Sequence, residues 1–366
     1  MGNGPGPVEA VGVNAQGEGS HHARAAHPAE EIRGRSVLVT GAHGLLGSWL
    51  VGALLDRGAR VVSIRRDEPA LSSLELLGLE DRVDVVHGDV CENGLIARAL
   101  NEYDVDSVFH LAAQTLVGTA NRSPLSTFET NIRGTWLLLE ACRLHGARRV
   151  IVASSDKAYG RQPELPYTEG QALLARYPYD VSKAACDMLA RSYWHTFGLP
   201  VAVTRFANLY GGADTNHSRL VPEAVCAALA RRRPVIRSDG SPERDFLYVE
   251  DAARAYLAIW QALSREEARG EAFNAGGGAP HRVADVVGLI CRLAGTSVDP
   301  DVQGAGTPHG EIDRQWVDAT KLRELTGWEP HFTLEEGLSK TIEWYRAHPE
   351  AWRGHPPRGS AAAAGN

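Results

Sequence analysis

The stretch Thr40-Gly41-Ala42-His43-Gly44-Leu45-Leu46-Gly47 constrains this chain more than any other. It follows an apolar, β-branched run at 36–40 that reads as a buried strand, and a helical apolar pattern begins inside it. Each glycine has a separate use: Gly41 permits a tight turn, Gly44 lets backbone amides approach an anion with no Cβ in the way, and Gly47 lets the helix lie close to the strand. The helix N-terminus adds unpaired N–H groups and a partial positive charge, which suits a pyrophosphate. A strand, this loop and a helix in that order predict dinucleotide binding through Gly41, His43, Gly44, Leu45, Leu46 and Gly47.

Further short β-branched runs at 60–64, 83–86, 107–111 and 149–154 are separated by segments of helical length. That alternation predicts parallel strands joined by crossover helices, an α/β doubly wound Rossmann sheet over residues 34–205. From 206 to 350 the pattern is less regular and turn signals recur, which predicts a smaller mixed C-terminal substrate domain interleaved with the first. Leu334, Leu338, Ile342 and Tyr345 recur at helical spacing near its end and read as a core-facing helix. Residues 1–33 and 351–366 lack hydrophobic period and are expected to be disordered tails, so His21 and His22 read as a solvated pair and not as metal ligands.

Composition removes several function classes. The formal charge is −7 and the basic run at 231–233 is short, so no nucleic-acid partner is expected. Cys91, Cys142, Cys186, Cys226 and Cys291 stand singly, without zinc-site spacing or the density of a disulfide scaffold, so reduced thiols and no metal are expected. No run is apolar enough to span a bilayer, and the N-terminus lacks a basic segment followed by an apolar one; the expectation is a cytoplasmic protein without a membrane partner.

Cofactor choice stays open at this stage. A carboxylate at the end of the second strand would bind a ribose 2′-hydroxyl, whereas a basic residue would accept a 2′-phosphate. Here Arg65 and Arg66 are followed by Asp67 and Glu68, so NAD and NADP are both admitted.

Tyr179 and Lys183 lie four residues apart and share a face if the segment is helical. A neighbouring ammonium stabilises a phenolate, so the pair predicts a tyrosine with lowered pKa that takes a proton from a substrate hydroxyl. Upstream, a buried strand ends in Ser154-Ser155-Asp156-Lys157, which places Ser155, Asp156 and Lys157 at a carboxyl edge where parallel sheets put active residues. Ser155 and Asp156 could equally cap a turn.

Together these residues resemble the extended short-chain dehydrogenase/reductase family of nucleotide-sugar epimerases and dehydratases, over about residues 35 to 348. The resemblance includes Gly88-Asp89-Val90, His110-Leu111-Ala112-Ala113-Gln114, Asn131 before Gly134-Thr135, Arg205-Phe206-Ala207-Asn208, Arg219-Leu220-Val221-Pro222 and Arg244-Asp245-Phe246. It implies a tightly held NAD or NADP contacted by Asp89, Val90, Leu111, Ala112, Ala113, Gln114 and Asn131. It also implies a nucleotide-diphosphate sugar contacted by Asn208, Arg219, Leu220, Val221 and Arg244, and a homodimer. Ser155, Tyr179 and Lys183 become the residues for oxidation at sugar C4. The Asp156-Lys157 doublet is similar to that of cytidine-diphosphate-glucose 4,6-dehydratases and of inverting uridine-diphosphate-N-acetylglucosamine dehydratases, whereas Arg65-Arg66 resembles guanosine-diphosphate-mannose 4,6-dehydratase. The expected activity is therefore a 4,6-dehydration, with Asp156 protonating the leaving C6 hydroxyl and Lys157 removing the C5 proton. A 4-epimerase or decarboxylase, in which that doublet only binds substrate, and a silent dinucleotide-binding regulator are the competing readings.

Overall fold

Strands Ser36–Thr40 (β1), Arg60–Arg65 (β2), Asp84–His87 (β3), Ser107–His110 (β4) and Arg149–Ala153 (β5) form where the β-branched runs predict them, to within a residue or so at their ends, and Val201–Phe206 (β6) adds a sixth. The computed structural model describes Met1 and residues 32–69, 71–307 and 311–353. Every neighbouring pair in this sheet is parallel, and the order is β3-β2-β1-β4-β5-β6 with Ala272–Ala275 (β10) on the far edge. Strand order reverses between β1 and β4, which opens a crevice at their carboxyl ends.

Alternation along the strands supplies both faces of the sheet. Val37, Val39, Val61 and Phe109 join one buried cluster with Leu50 and Leu54 of helix Leu45–Asp56 and Trp260 of helix Val249–Ala262. The intervening Leu38, Val62, Val108 and Val150 join another with Leu138, Leu139 and Cys186 of helices Gly134–Leu144 and Pro178–Phe197. A strand covered on both faces needs apolar residues at nearly every position, and these have them.

After β6 the chain makes Asn208–Tyr210 (β7), Val235–Ile236 (β8), Glu243–Tyr248 (β9), Pro280–Arg282 (β11), Asp301–Val302 (β12) and Arg314–Gln315 (β13). In the second sheet β9 pairs with β7 and β13 in parallel and with β11 antiparallel, so the sheet is mixed. A third cluster built on Tyr210, Phe246, Tyr248, Ile290, Leu338 and Tyr345 packs its helices. Thr333 opens the last long helix, Leu334–Ala347, with a reciprocal capping box to Glu336. The chain returns to the large sheet at β10, and helix Val249–Ala262 packs on helix Leu45–Asp56.

At both ends the packed chain runs slightly further than the sequence predicts. Ile32 is buried in the first cluster and Ala351 in the third, because each is an apolar side chain that the adjoining elements cover. Residues 2–31, with His21 and His22, and residues 354–366 of the expected tails lie outside the described residues.

Candidate active site

The glycines of the first loop do different work, as their surroundings show. A Cβ on Gly41, whose φ is +74°, would press on the backbone of Leu111 and Ala112 at 2.8 Å, and one on Gly47 would overlap the Gly41 carbonyl. Around Gly44 the nearest atom is 3.5 Å away, so the loop presents open backbone there. The loop forms one wall of a cleft of about 790 Å³ that also takes in the carboxyl ends of β2, β4, β5 and β6. A dinucleotide fits this cradle: open amides at a helix N-terminus, next to a crevice at the strand-order reversal.

Behind the loop, hydrogen bonds fix the neighbouring strand end. Thr40 Oγ1 accepts from the Leu111 and Ala112 amides at 3.1 Å each, so its own hydrogen is directed to His110 Nδ1 at 2.8 Å. That leaves His110 Nε2 as the donor to Thr135 Oγ1 at 3.1 Å, which donates on to the Asn131 carbonyl. Burial and the Lys183 charge push the His110 pKa down to about 3, so the ring is neutral as this chain requires.

His43, Leu45, Leu46, Asp89, Val90, Leu111, Ala112 and Ala113, the residues expected to meet a dinucleotide, line the cleft. Gln114 and Asn131 do not; they hold each other behind the wall. Asn131 Oδ1 accepts the Gln114 amide at 2.7 Å, and its Nδ2 donates to the Gln114 carbonyl and to Ser182 Oγ at 2.8 Å. Asn131 is buried in a π-helical turn, Glu129–Arg133, and its neighbour Thr130 lines the cleft in its place.

Tyr179 and Lys183 fall on helix Pro178–Phe197 at adjacent turns, started by a proline whose missing N–H costs nothing in a first turn. Lys183 Nζ donates to the Ala153 carbonyl at 2.8 Å and Ser154 Oγ to the Lys183 carbonyl at 2.9 Å, which ties this helix to the end of β5. The expected depression of the Tyr179 pKa is not found. Burial raises it, the Asp156 charge adds to the rise, and a hydrogen bond with Ser155 only partly opposes them; Lys183, buried as well, is itself shifted down. Desolvation is the largest influence on both groups.

Ser155 combines the two roles the sequence leaves open. Its Oγ accepts from the Lys157 amide at 3.2 Å, capping the short helix Asp156–Tyr159, and donates to Asp156 Oδ1 at 3.0 Å. Asp156 is 3% exposed, and burial raises its pKa against the pull of Lys157. Its Oδ2 makes no well-formed hydrogen bond among the described residues, although the Gln315 amide stands close enough to favour the charged form.

Three groups around this acid escape sequence reading. Asp180, beside Tyr179, is pushed up to about 6 by burial despite Lys157. Asp245 on β9 is pushed up to about 7 by burial, while its carboxylate accepts the Gly277 amide at 2.8 Å and the Val317 amide at 3.4 Å. Gln315 on β13 pairs in register with Arg244 and is fully buried. Of the three, Asp245 carries a sequence signal, since it sits in the Arg244-Asp245-Phe246 segment.

The residues expected to meet substrate, Asn208, Arg219, Leu220, Val221 and Arg244, all line the cleft. Arg219 pairs with Asp214 at 3.1 Å and reaches Thr115 Oγ1 at 3.3 Å. Arg244 meets Glu311 at 3.1 Å, and Asn208 Nδ2 donates to the Asp245 carbonyl at 3.1 Å. Among the described residues no cluster of side chains could hold a metal ion, and no helix is long and apolar enough to cross a membrane.

The family model described as GDP-mannose 4,6 dehydratase matches residues 38–341. A dTDP-glucose 4,6-dehydratase of Xanthomonas campestris is 33% identical over 328 residues, covering 84% of this chain and 92% of that protein. The trifunctional UDP-glucose 4,6-dehydratase, 3,5-epimerase and reductase of Arabidopsis thaliana is 32% identical over 87% of this chain, which spans only 48% of that longer protein. Among solved structures, a dTDP-glucose 4,6-dehydratase from Streptomyces venezuelae with NAD bound aligns with a TM-score of 0.78 at 29% identity, over 87% of this chain and 99% of that one. A UDP-glucose 4-epimerase from Thermotoga maritima aligns as well, with a TM-score of 0.78 at 29% identity, over 85% and 99%. The chain is thus an enzyme of the extended short-chain dehydrogenase/reductase family and belongs to its GDP-mannose 4,6-dehydratase group.

Proposed function

We propose that the protein is a nucleotide-sugar 4,6-dehydratase, converting a nucleoside-diphosphate hexose to its 4-keto-6-deoxy derivative. The observation that carries this reading is the buried carboxyl of Asp156 beside Lys157, hydrogen-bonded to Ser155 at the carboxyl end of β5, where burial favours its neutral form. The relatives named 4,6-dehydratase over most of their length support it.

Gly41, Gly44, Asp89 and Leu111 to Ala113 would hold an NAD or NADP, which would supply hydride uptake at C4 and its return at C6. Tyr179, set by Ser155, receives the C4 hydroxyl proton. A transient 4-ketone makes the C5 proton acidic; Lys157 removes it and, after exchange with solvent, returns a proton to C5 when the hydride comes back to C6. Asp156 in its neutral form gives its proton to the departing C6 hydroxyl, which leaves as water; burial favours that neutral form. Asn208, Arg219, Leu220, Val221 and Arg244 hold the sugar nucleotide from the second sheet's side of the cleft.

The epimerase reading rests on an equally good structural likeness. The mass of the product separates the two. Incubation with a panel of nucleoside-diphosphate hexoses should give a product lighter by one water, with solvent deuterium at C5 when the reaction runs in deuterated water. A product of unchanged mass with inverted C4 would overturn the dehydratase reading.

A further inference from the structure

We propose that Gln315 is the positioning residue for Asp156: from behind the cleft wall its side-chain amide serves the acid in both protonation states, donating to the carboxylate through Nε2 and accepting from the carboxylic acid through Oε1. The inference rests on the reading of Asp156 as the acid of the elimination.

Three side-chain amides are buried among the described residues, those of Asn131, Asn274 and Gln315. The first two are committed at both ends. Asn131 holds Gln114 and Ser182, and Asn274 Oδ1 accepts the Tyr159 hydroxyl at 2.8 Å while its Nδ2 donates to the Tyr167 and Asp318 carbonyls at 2.9 and 3.1 Å. Gln315 is 0% exposed, yet neither its Oε1 nor its Nε2 makes a well-formed hydrogen bond among the described residues. Burying an amide donor and acceptor without such bonds is costly, so a glutamine at this place needs a group to serve. Asp156 Oδ2 is sealed from solvent in the same way, and the amide stands close enough to favour its charged form.

Pairing of the second sheet explains the placement. β13 runs parallel to β9 with Gln315 beside Arg244, and side chains at paired positions leave the same face of a sheet. Arg244 lines the cleft, whereas Gln315 is fully buried and acts only through Asp156. A fixed N–H there would hold the carboxylate and resist the return of its proton, and a fixed carbonyl would hold the acid and resist its release. An amide offers both on one turning bond, and a half-turn of Gln315 breaks no well-formed hydrogen bond among the described residues. Bonds to a charged group are the stronger, so Gln315 makes Asp156 a better acid without fixing it as a carboxylate.

Difference infrared spectroscopy of the full-length protein tests this without substrate, with Asp156→Asn subtracted to isolate the Asp156 carboxyl. The other titratable groups coupled to Asp156 are Lys157 on its own turn, Tyr167, Tyr179 and Asp180 from helix Pro178–Phe197, and Arg244 and Asp245 from β9, and all stay in place in the variants. In Gln315→Met, which keeps the volume, the titration midpoint of Asp156 should rise by about one pH unit. The carbonyl band of the protonated acid should move to higher frequency as its hydrogen bond is lost. Gln315→Glu, which keeps the shape and adds a like charge, should raise the midpoint further. A residue needed only for packing would lower stability and leave midpoint and band where they are. A midpoint and band unmoved in the folded variants would overturn the proposal. A moved midpoint, with wild-type product of unchanged mass from the hexose panel, would uphold the pairing and remove instead the dehydratase reading.

Discussion

Asp156 accepts the Ser155 hydroxyl on one carboxylate oxygen at 3.0 Å and keeps the other sealed from solvent without a well-formed hydrogen bond among the described residues, so a single acid touches both a hydroxyl at the cleft wall and the interior. Burial of the carboxyl is the largest influence on its pKa and raises it, against the opposing charge of Lys157.

Asp156→Asn keeps the shape and the Ser155 contact but cannot transfer a proton to a leaving hydroxyl. Formation of dehydrated product should fall by about 10²-fold or more, while oxidation at C4 persists. Reduced nicotinamide absorbance should then build up on mixing with substrate. An unchanged yield of lighter product would take Asp156 out of the elimination.

Tyr179→Phe removes the only oxygen proposed to accept the C4 proton and leaves the helix start and the Lys183–Ala153 bond in place. Dinucleotide binding should survive, and single-turnover reduction should slow by about 10²-fold or more. Because burial holds the Tyr179 pKa up, the wild-type rate of that step should also rise with pH through the neutral range. A variant as fast as wild type would assign the proton to another group.

These two predictions concern residues that were legible in the sequence, for a physical reason. Gly41 to Gly47 and Tyr179 to Lys183 are local patterns, in which spacing along one segment fixes geometry before any tertiary contact forms. The groups that tune them arrive from afar. Gln315 reaches Asp156 only because β13 pairs with β9 in the register that sets it beside Arg244, and no local pattern encodes that register. The same limit explains Arg65, whose sequence neighbours are readable but whose partner Glu80 is brought in by the turn after a short helix. The sequence puts Asn131 near the cleft but not behind its wall, where it braces Gln114 and Ser182, since a pattern shows a residue's place along the chain and not which side of a wall it faces.

The pair Arg205–Asp187 lies directly behind the site and offers a stability test. Both side chains are essentially unexposed, joined at 2.7 and 3.0 Å, and the guanidinium also donates to the Tyr159 hydroxyl at 3.0 Å. Asp187→Ala strands a buried cation and should cost about 3–5 kcal/mol in urea unfolding, whereas removing both charges with Asp187→Leu and Arg205→Met should recover most of it. Loss of the same size in the double variant would mean that packing, not the stranded charge, sets the cost.

Asp180 supplies the pH dependence, and the sign follows from its surroundings. Burial is the largest influence and raises its pKa from 3.8 to about 6, Lys157 opposes that rise, and the charges of Asp156 and Glu311 add to it. Between those two values the folded chain holds a proton that the unfolded chain has released. Stability from this group is therefore complete below about pH 4 and is lost as pH rises through about 6, by an amount on the order of 3 kcal/mol for a shift of about two units. Carboxylates whose pKa is lowered by folding, such as Glu336 at its capping box, slope the opposite way, so the total curve alone cannot isolate Asp180. The difference between wild type and Asp180→Asn can. The variant has no proton to lose, so its stability relative to wild type should climb across pH 4 to 6 and level off above. Chemical unfolding at a series of pH values measures this difference, and a flat difference curve would show that Asp180 does not titrate in that window.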